Sequence, residues 1–167
     1  VTAGTNSVSV DHDLFTVASG GVLTFSSAPD YETPGCGAGN DANICIVIIQ
    51  VTDGANTDTI TVTATVTDAN DAPAFTNSGT TTGTEDTAYS YTPTTSDADG
   101  DGVTVTCTTC PSWLAMSSGA LAGTPSDSGV GANSVVLTAD DGTTTTTQSF
   151  TVTVTNVNDP GVVTLTG

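Results

Sequence analysis

The residues best equipped for chemistry in this chain are carboxylates and amides, and they come in clusters. Asp68-Ala69-Asn70-Asp71 runs directly into Ala72-Pro73, and Asn156-Val157-Asn158-Asp159-Pro160 repeats the device 88 residues later. Asp97-Ala98-Asp99-Gly100-Asp101 forms a third group around a glycine. Oxygen donors crowded on stiff turns suit a hard cation such as Ca²⁺, which takes roughly 6–8 oxygen ligands at about 2.3–2.6 Å. The chain has no Lys or Arg and a formal charge of −18. A folded chain of that charge repels itself unless cations offset it. Asp and Asn also favour turns for their own sake, so solvated turn residues are the plain alternative.

The same composition closes off other chemistries. Nucleic acid is excluded as a partner, because nothing can neutralise phosphates. Lys–Asn isopeptide crosslinks cannot form. The one histidine, His12 between Asp11 and Asp13, lacks a second imidazole or a thiolate with which to hold a transition metal. A hydrolytic triad or an oxyanion clamp has little to build on, and the carboxylates gather at turns rather than as a pair flanking a glycosidic bond. The chain is therefore expected not to be an enzyme. Its four cysteines stand as two close pairs, Cys36/Cys45 and Cys107/Cys110. Three connectivities exist, and the local ones, Cys36–Cys45 and Cys107–Cys110, are expected as structural disulfides in an oxidising compartment. A redox centre at Cys107-Thr108-Thr109-Cys110 would need a helix N-terminus or a nearby cation to lower a thiol pKa, and the motif instead follows a Val-Thr strand.

The elements that hold these groups are strands. Period-two alternation is widespread, and no long window carries apolar residues at helical spacing. Thr59 to Thr67 reads as a strand with Ile60, Val62 and Ala64 inward and Thr outward, preceded by Ile44 to Val51 across the turn Asp53-Gly54-Ala55-Asn56. Phe150 to Thr155 is its counterpart, preceded by Val135 to Ala139 across Asp140-Asp141-Gly142. Two such hairpins predict two all-β Greek-key sandwiches, and 167 residues suffice for two small domains. The longest apolar run, Ile44 to Ile49, falls far short of the ~18 residues of a membrane helix. The chain starts at Val1 without a signal peptide, as expected of a mature product or a fragment.

With these motifs in order, the chain resembles the cadherin-like repeat family. Asp68 to Phe75 looks like the Asp-x-Asn-Asp-x-x-Pro-x-Phe linker of cadherin repeats, preceded by Phe15-Thr16-Val17, Gly21-Val22-Leu23 and Asp30-Tyr31-Glu32. The second half is similar to the dystroglycan-type repeat of bacterial surface proteins. Its marks are Tyr89-Ser90-Tyr91, Asp97 to Asp101, Pro111-Ser112-Trp113-Leu114 and Gly119 to Pro125. The resemblance implies an incomplete domain at 1–73 that lacks its N-terminal strands, a complete one at 74–160, and a spare strand at 161–167.

It also implies Ca²⁺ at a first junction, held by Asp30, Glu32, Asp68, the Ala69 carbonyl, Asn70, Asp71, Asp97 and Asp99. A weaker second junction would use Glu85, Asp127, Asn156, Asn158 and Asp159, and Asp101 is an extra carboxylate in the loop at Asp97. The only two glutamates, Glu32 and Glu85, both fall where the family places a calcium carboxylate. The expected function is an extracellular, calcium-rigidified structural or adhesive protein at the cell surface. Its expected partners are neighbouring repeats or copies of itself, joined head to tail through Val162 to Thr166 onto a sandwich that leaves Val8, Val10 and Phe15 uncovered. The second reading is a glycan- or protein-binding accessory module of a secreted enzyme or receptor. Threonine runs at Thr80–Thr82 and Thr143–Thr147 are β-formers on wet faces, and as acceptors of O-linked glycans they would suit an exposed fibre.

Overall fold

The computed structural model describes residues 11–18, 21–36 and 42–160. The expectations for Val8 and Val10, for the spare strand at 161–167 and for the His12 side chain lie outside the described residues. The chain divides into two compact units, Val1–Ala69 and Asn70–Gly167. Among the described residues there is no α-helix, only strands and two short 3₁₀ turns, so the protein is all-β.

In the first unit a 3₁₀ turn at His12–Leu14 leads into β1 (Phe15–Val17), which pairs antiparallel with β2 (Leu23–Phe25). Phe15 stacks on Phe25 at a centroid distance of 4.5 Å. The dominant element is a hairpin of β3 (Ile44–Thr52) and β4 (Thr57–Thr65), whose β-branched residues suit a pleated ladder. Its turn is tied by Asp53, whose carboxylate accepts from the Ala55 and Asn56 amides. Gly54 sits there at φ 93°, a backbone region open mainly to glycine. The Cys36–Cys45 disulfide fastens the preceding loop to the start of β3. Cys45 and Val47 are buried, but Ile60, expected inward, is 58% exposed. The alternation persists to the hairpin tip, while burial along that face falls away from Cys45 and Val47 to Ile60.

The second unit contains β5 (Ala74–Phe75), β6 (Thr82–Thr84), β7 (Tyr89–Tyr91), β8 (Thr95–Ser96), β9 (Thr104–Thr109), β10 (Leu114–Ser117), β11 (Ala120–Gly123), β12 (Gly131–Asp140) and β13 (Thr145–Thr155). One sheet runs β10-β11-β7 and the other β6-β13-β12-β9, with β6 parallel to β13 and a small β5–β8 ladder beside them. Tyr89, Tyr91, Leu114 and Leu121 from the first sheet meet Val135, Leu137, Val152 and Val154 from the second in one apolar cluster. That is a β-sandwich core. Trp113 packs edge-on against Tyr89 and donates its Nε1–H to the Asn133 side chain, so its one polar atom is satisfied. The register shifts between Val136 and Leu137 against β9, and the Cys107–Cys110 disulfide lies at that end of β9.

Candidate metal centre

Glu85 is the one charged side chain buried among the described residues, 1% exposed. The backbone puts it there. The Glu85 amide donates to the Thr155 carbonyl at the end of β13, and the next amide, Asp86, donates to the Pro125 carbonyl. The side chain is thus aimed between the end of β13 and the 3₁₀ turn Asp127–Gly129. Its Oε2 accepts from the Val157 amide at 2.8 Å, while Oε1 is buried with no hydrogen-bond partner. Carboxylate oxygens of Glu85, Asp127 and Asp159 lie within 4.8 Å of one another. The Val157 bond lowers the Glu85 pKa, but burial and the Asp127 and Asp159 carboxylates outweigh it and push the group above the ordinary glutamate value. An anion buried beside two others, in a chain without Lys or Arg, is costly unless something positive faces it.

A second cluster is formed by Asp97, Asp99 and Asp101, again with carboxylate oxygens within 4.8 Å of one another. Asp97 Oδ1 accepts from the amides of Asp99 and Asp101, which curls the loop so that all three point together, and Gly100 at φ 80° permits the curl. Asp99 Oδ2 accepts from the Asp71 amide at 2.7 Å. The remaining Asp97 Oδ2 and Asp99 Oδ1 are buried without partners. The linker residue Asn70 donates from Nδ2 to Asp141 Oδ2 at 3.1 Å and to Thr144 Oγ1 at 3.2 Å. The Thr144 amide, with that of Thr143, the Thr144 hydroxyl and the Asn70 amide, holds the Asp141 carboxyl well below the usual range despite its burial cost. Asp141 was missed in the sequence because Asp140-Asp141-Gly142 carries only a turn signal.

In the first unit Asp30 Oδ1 accepts from the amides of Glu32 and Thr33, closing a turn that presents Glu32. Carboxylate oxygens of Glu32 and Asp68 lie within 4.8 Å of each other, and Ala69 is exposed. At the other linker, Asn156 and Asn158 are exposed, and their side-chain amides donate to the carbonyls of Val157 and Asp159. The donor set is oxygen throughout and anionic, with bare inward oxygens at two clusters. That fits a hard divalent cation of the calcium type and does not suit a soft metal.

A model of the He_PIG family, whose description is Putative Ig domain, matches residues 72–155. No curated protein matches the chain significantly. Among solved structures, human protocadherin-24 EC1-2 is 22% identical with a TM-score of 0.52, over 87% of this chain and 77% of that one. An endo-fucoidan hydrolase of glycoside hydrolase family 107, MfFcnA4, is 23% identical with a TM-score of 0.48, over 89% of this chain. This chain spans only 24% of the hydrolase's length. Domains 1–6 of the surface layer protein SbsC are 18% identical with a TM-score of 0.37, over 93% of this chain and 21% of that one. The protocadherin likeness is one of fold.

Proposed function

The chain belongs to the He_PIG family of immunoglobulin-like domains, and from that premise we propose that it is a non-enzymatic structural or adhesive module stiffened by Ca²⁺. The observation that carries this reading is the buried Glu85, which has one oxygen without a hydrogen-bond partner and lies with Asp127 and Asp159 in a cluster of carboxylate oxygens within 4.8 Å of one another. In finer terms, the first unit would be a cadherin-type repeat and the second one of the dystroglycan type, both as Greek-key sandwiches. Glu85, Asp127 and Asp159 would hold one cation, and Asp97, Asp99 and Asp101 would contribute to another. Asp30, Glu32, Asp68, the Ala69 carbonyl, Asn70 and Asp71 are assigned as ligands from their motifs alone. Asn156 and Asn158 join Glu85 on the same footing.

Bound Ca²⁺ would supply the positive charge that this chain lacks. The residues do the rest: Val157 and Thr155 fix Glu85, Asp97 orders its own loop, and Asp141 with Asp99 holds Asn70 and Asp71. The two disulfides support a place outside the reducing cytosol, at the cell surface or secreted. Neighbouring repeats or copies of the same chain are its proposed partners, with O-linked glycans on exposed threonines and no role for nucleic acid. The accessory-module alternative calls for an exposed aromatic platform. Tyr89 and Tyr91 are instead buried, and Trp113 packs on the core.

A cation that binds only the folded chain stabilises it, and the gain grows with the logarithm of its free concentration once that exceeds the dissociation constant. Millimolar Ca²⁺ added to chelator-stripped protein is expected to raise the melting temperature, and Glu85→Gln is expected to lose most of that rise. Equal melting curves for both proteins, with and without Ca²⁺, would overturn the proposal.

A further inference from the structure

The turn that carries Asp127 is held at both ends. At its front the Pro125 carbonyl accepts from the Asp86 amide at 2.9 Å, next to Glu85 in the chain. At its back the Gly129 carbonyl accepts from Asn133 Nδ2 at 2.8 Å. Pro125 and Gly129 are buried, while Ser126, Asp127 and Ser128 between them are exposed. The 3₁₀ turn has no side-chain cap at Ser126, so its placement rests on these two anchors. Asn133 stands near the start of β12, opposite Val152 of β13. Its Nδ2 also donates to the Gly131 carbonyl at 3.0 Å and reaches the Val152 carbonyl at 3.4 Å. Its Oδ1 accepts from Trp113 Nε1 at 3.1 Å. An indole N–H can only donate, so it fixes which way round the amide lies and turns Nδ2 toward the three carbonyls. The Trp113 ring also closes on Gly129, where an added Cβ would lie 3.0 Å from its Cδ1 and Nε1.

We propose that Asn133 is a positioning residue for the cation site at Glu85, an inference that rests on the calcium reading above. Its hydrogen bonds go to backbone carbonyls and to Trp113, and to none of the three carboxylates. What it fixes is the Gly129 end of the turn, and with it the place of Asp127 beside Glu85 and Asp159. The three carboxylates repel one another at this spacing. Glu85 is buried and cannot yield, whereas Asp127 is exposed on a short turn. Without the anchor at Gly129 that repulsion swings the turn outward, and an incoming ion finds one ligand out of reach. Groups that orient metal ligands without touching the metal carry roughly 10–100-fold of its affinity.

Calorimetric titration of Ca²⁺ into chelator-stripped protein, at a temperature where circular dichroism shows each variant folded, tests this. Asn133→Ala is expected to weaken the ion that depends on Glu85 about tenfold. In an Asp127→Ala background, titrated to saturation, the same change should cost less than about twofold, because no ligand is left for Asn133 to position. A role in the fold at large would instead cost the same in both backgrounds. Should Asn133→Ala fail to fold, Trp113→Phe decides the matter. It keeps an aromatic ring, removes the N–H that orients Asn133, and should show the same dependence on Asp127. Affinity in Asn133→Ala equal to the parent's, or equal losses in both backgrounds, would overturn the assignment and leave the calcium reading standing. A parent that takes up no Ca²⁺, or whose uptake is unchanged by Glu85→Gln, would overturn both.

Discussion

At Glu85 the balance of charges sets the sign of a mutation. In chelator the parent side chain faces two carboxylates with no compensating charge, whereas glutamine keeps the amide contact from Val157 and removes the repulsion. Glu85→Gln is therefore expected to melt at or above the parent temperature in chelator and below it in Ca²⁺. A lower melting point in chelator as well would mean that Glu85 serves the fold itself. Tyr89 and Tyr91 give a pH test away from the cation. Burial raises both pKa values above 10, against the hydrogen bonds that Tyr89 makes with Thr80 and Tyr91 with Gln148. The folded value exceeds the unfolded one, so their contribution to stability is complete below pH 10 and is lost as pH rises through the folded values. Tyrosinate absorbance from these two should appear together with unfolding, and smooth ionisation of all three tyrosines in an intact fold would contradict their burial. At this scale the acidic clusters were legible because turn chemistry and charge coincide in short stretches. Asp141 was not, because its partner Asn70 lies 71 residues away in sequence.

Among the elements, long hairpins were legible and short strands were not. The Thr-Val alternation marked β3–β4 and β12–β13, since period-two burial leaves a pattern over nine or more residues. Two- and three-residue strands such as β5, β6 and β8 have too few positions to show any period. Ile60 shows the limit of alternation, which says which face a side chain takes but not whether anything lies against that face. Leu137 is fully buried in the sandwich core, and Leu137→Ala should cost about 2–5 kcal/mol in urea unfolding. At Gly123 an added Cβ would run into the Trp113 carbonyl, so Gly123→Ala should cost about 1–3 kcal/mol and loosen β10 from β11. A Gly123→Ala protein as stable as the parent would refute that close approach. The disulfides make a third check: thiol labelling of unreduced protein should find none. Opening Cys36–Cys45 should then cost roughly 2–3 kcal/mol through loop entropy.

For the whole molecule, the all-β class followed from the absence of helical periodicity, and two compact units accompany the two linker motifs. The unit boundary falls inside the first linker, at Ala69–Asn70, because Asp141 and Asp99 tie Asn70 and Asp71 to the second unit. No local pattern of residues 68–73 could have revealed that, since both anchors are distant in sequence. The net charge of −18 acts at this scale too, because a chain without Lys or Arg can relieve its carboxylate clusters only by taking up cations or protons. Isothermal titration of Ca²⁺ into chelator-stripped protein tests that most directly. Saturable binding with a dissociation constant on the order of 10⁻⁴–10⁻³ M, as is typical of extracellular calcium modules, is expected for the intact chain, with one fewer ion bound by Glu85→Gln. An intact chain that takes up no Ca²⁺ at ten times that concentration would contradict the account.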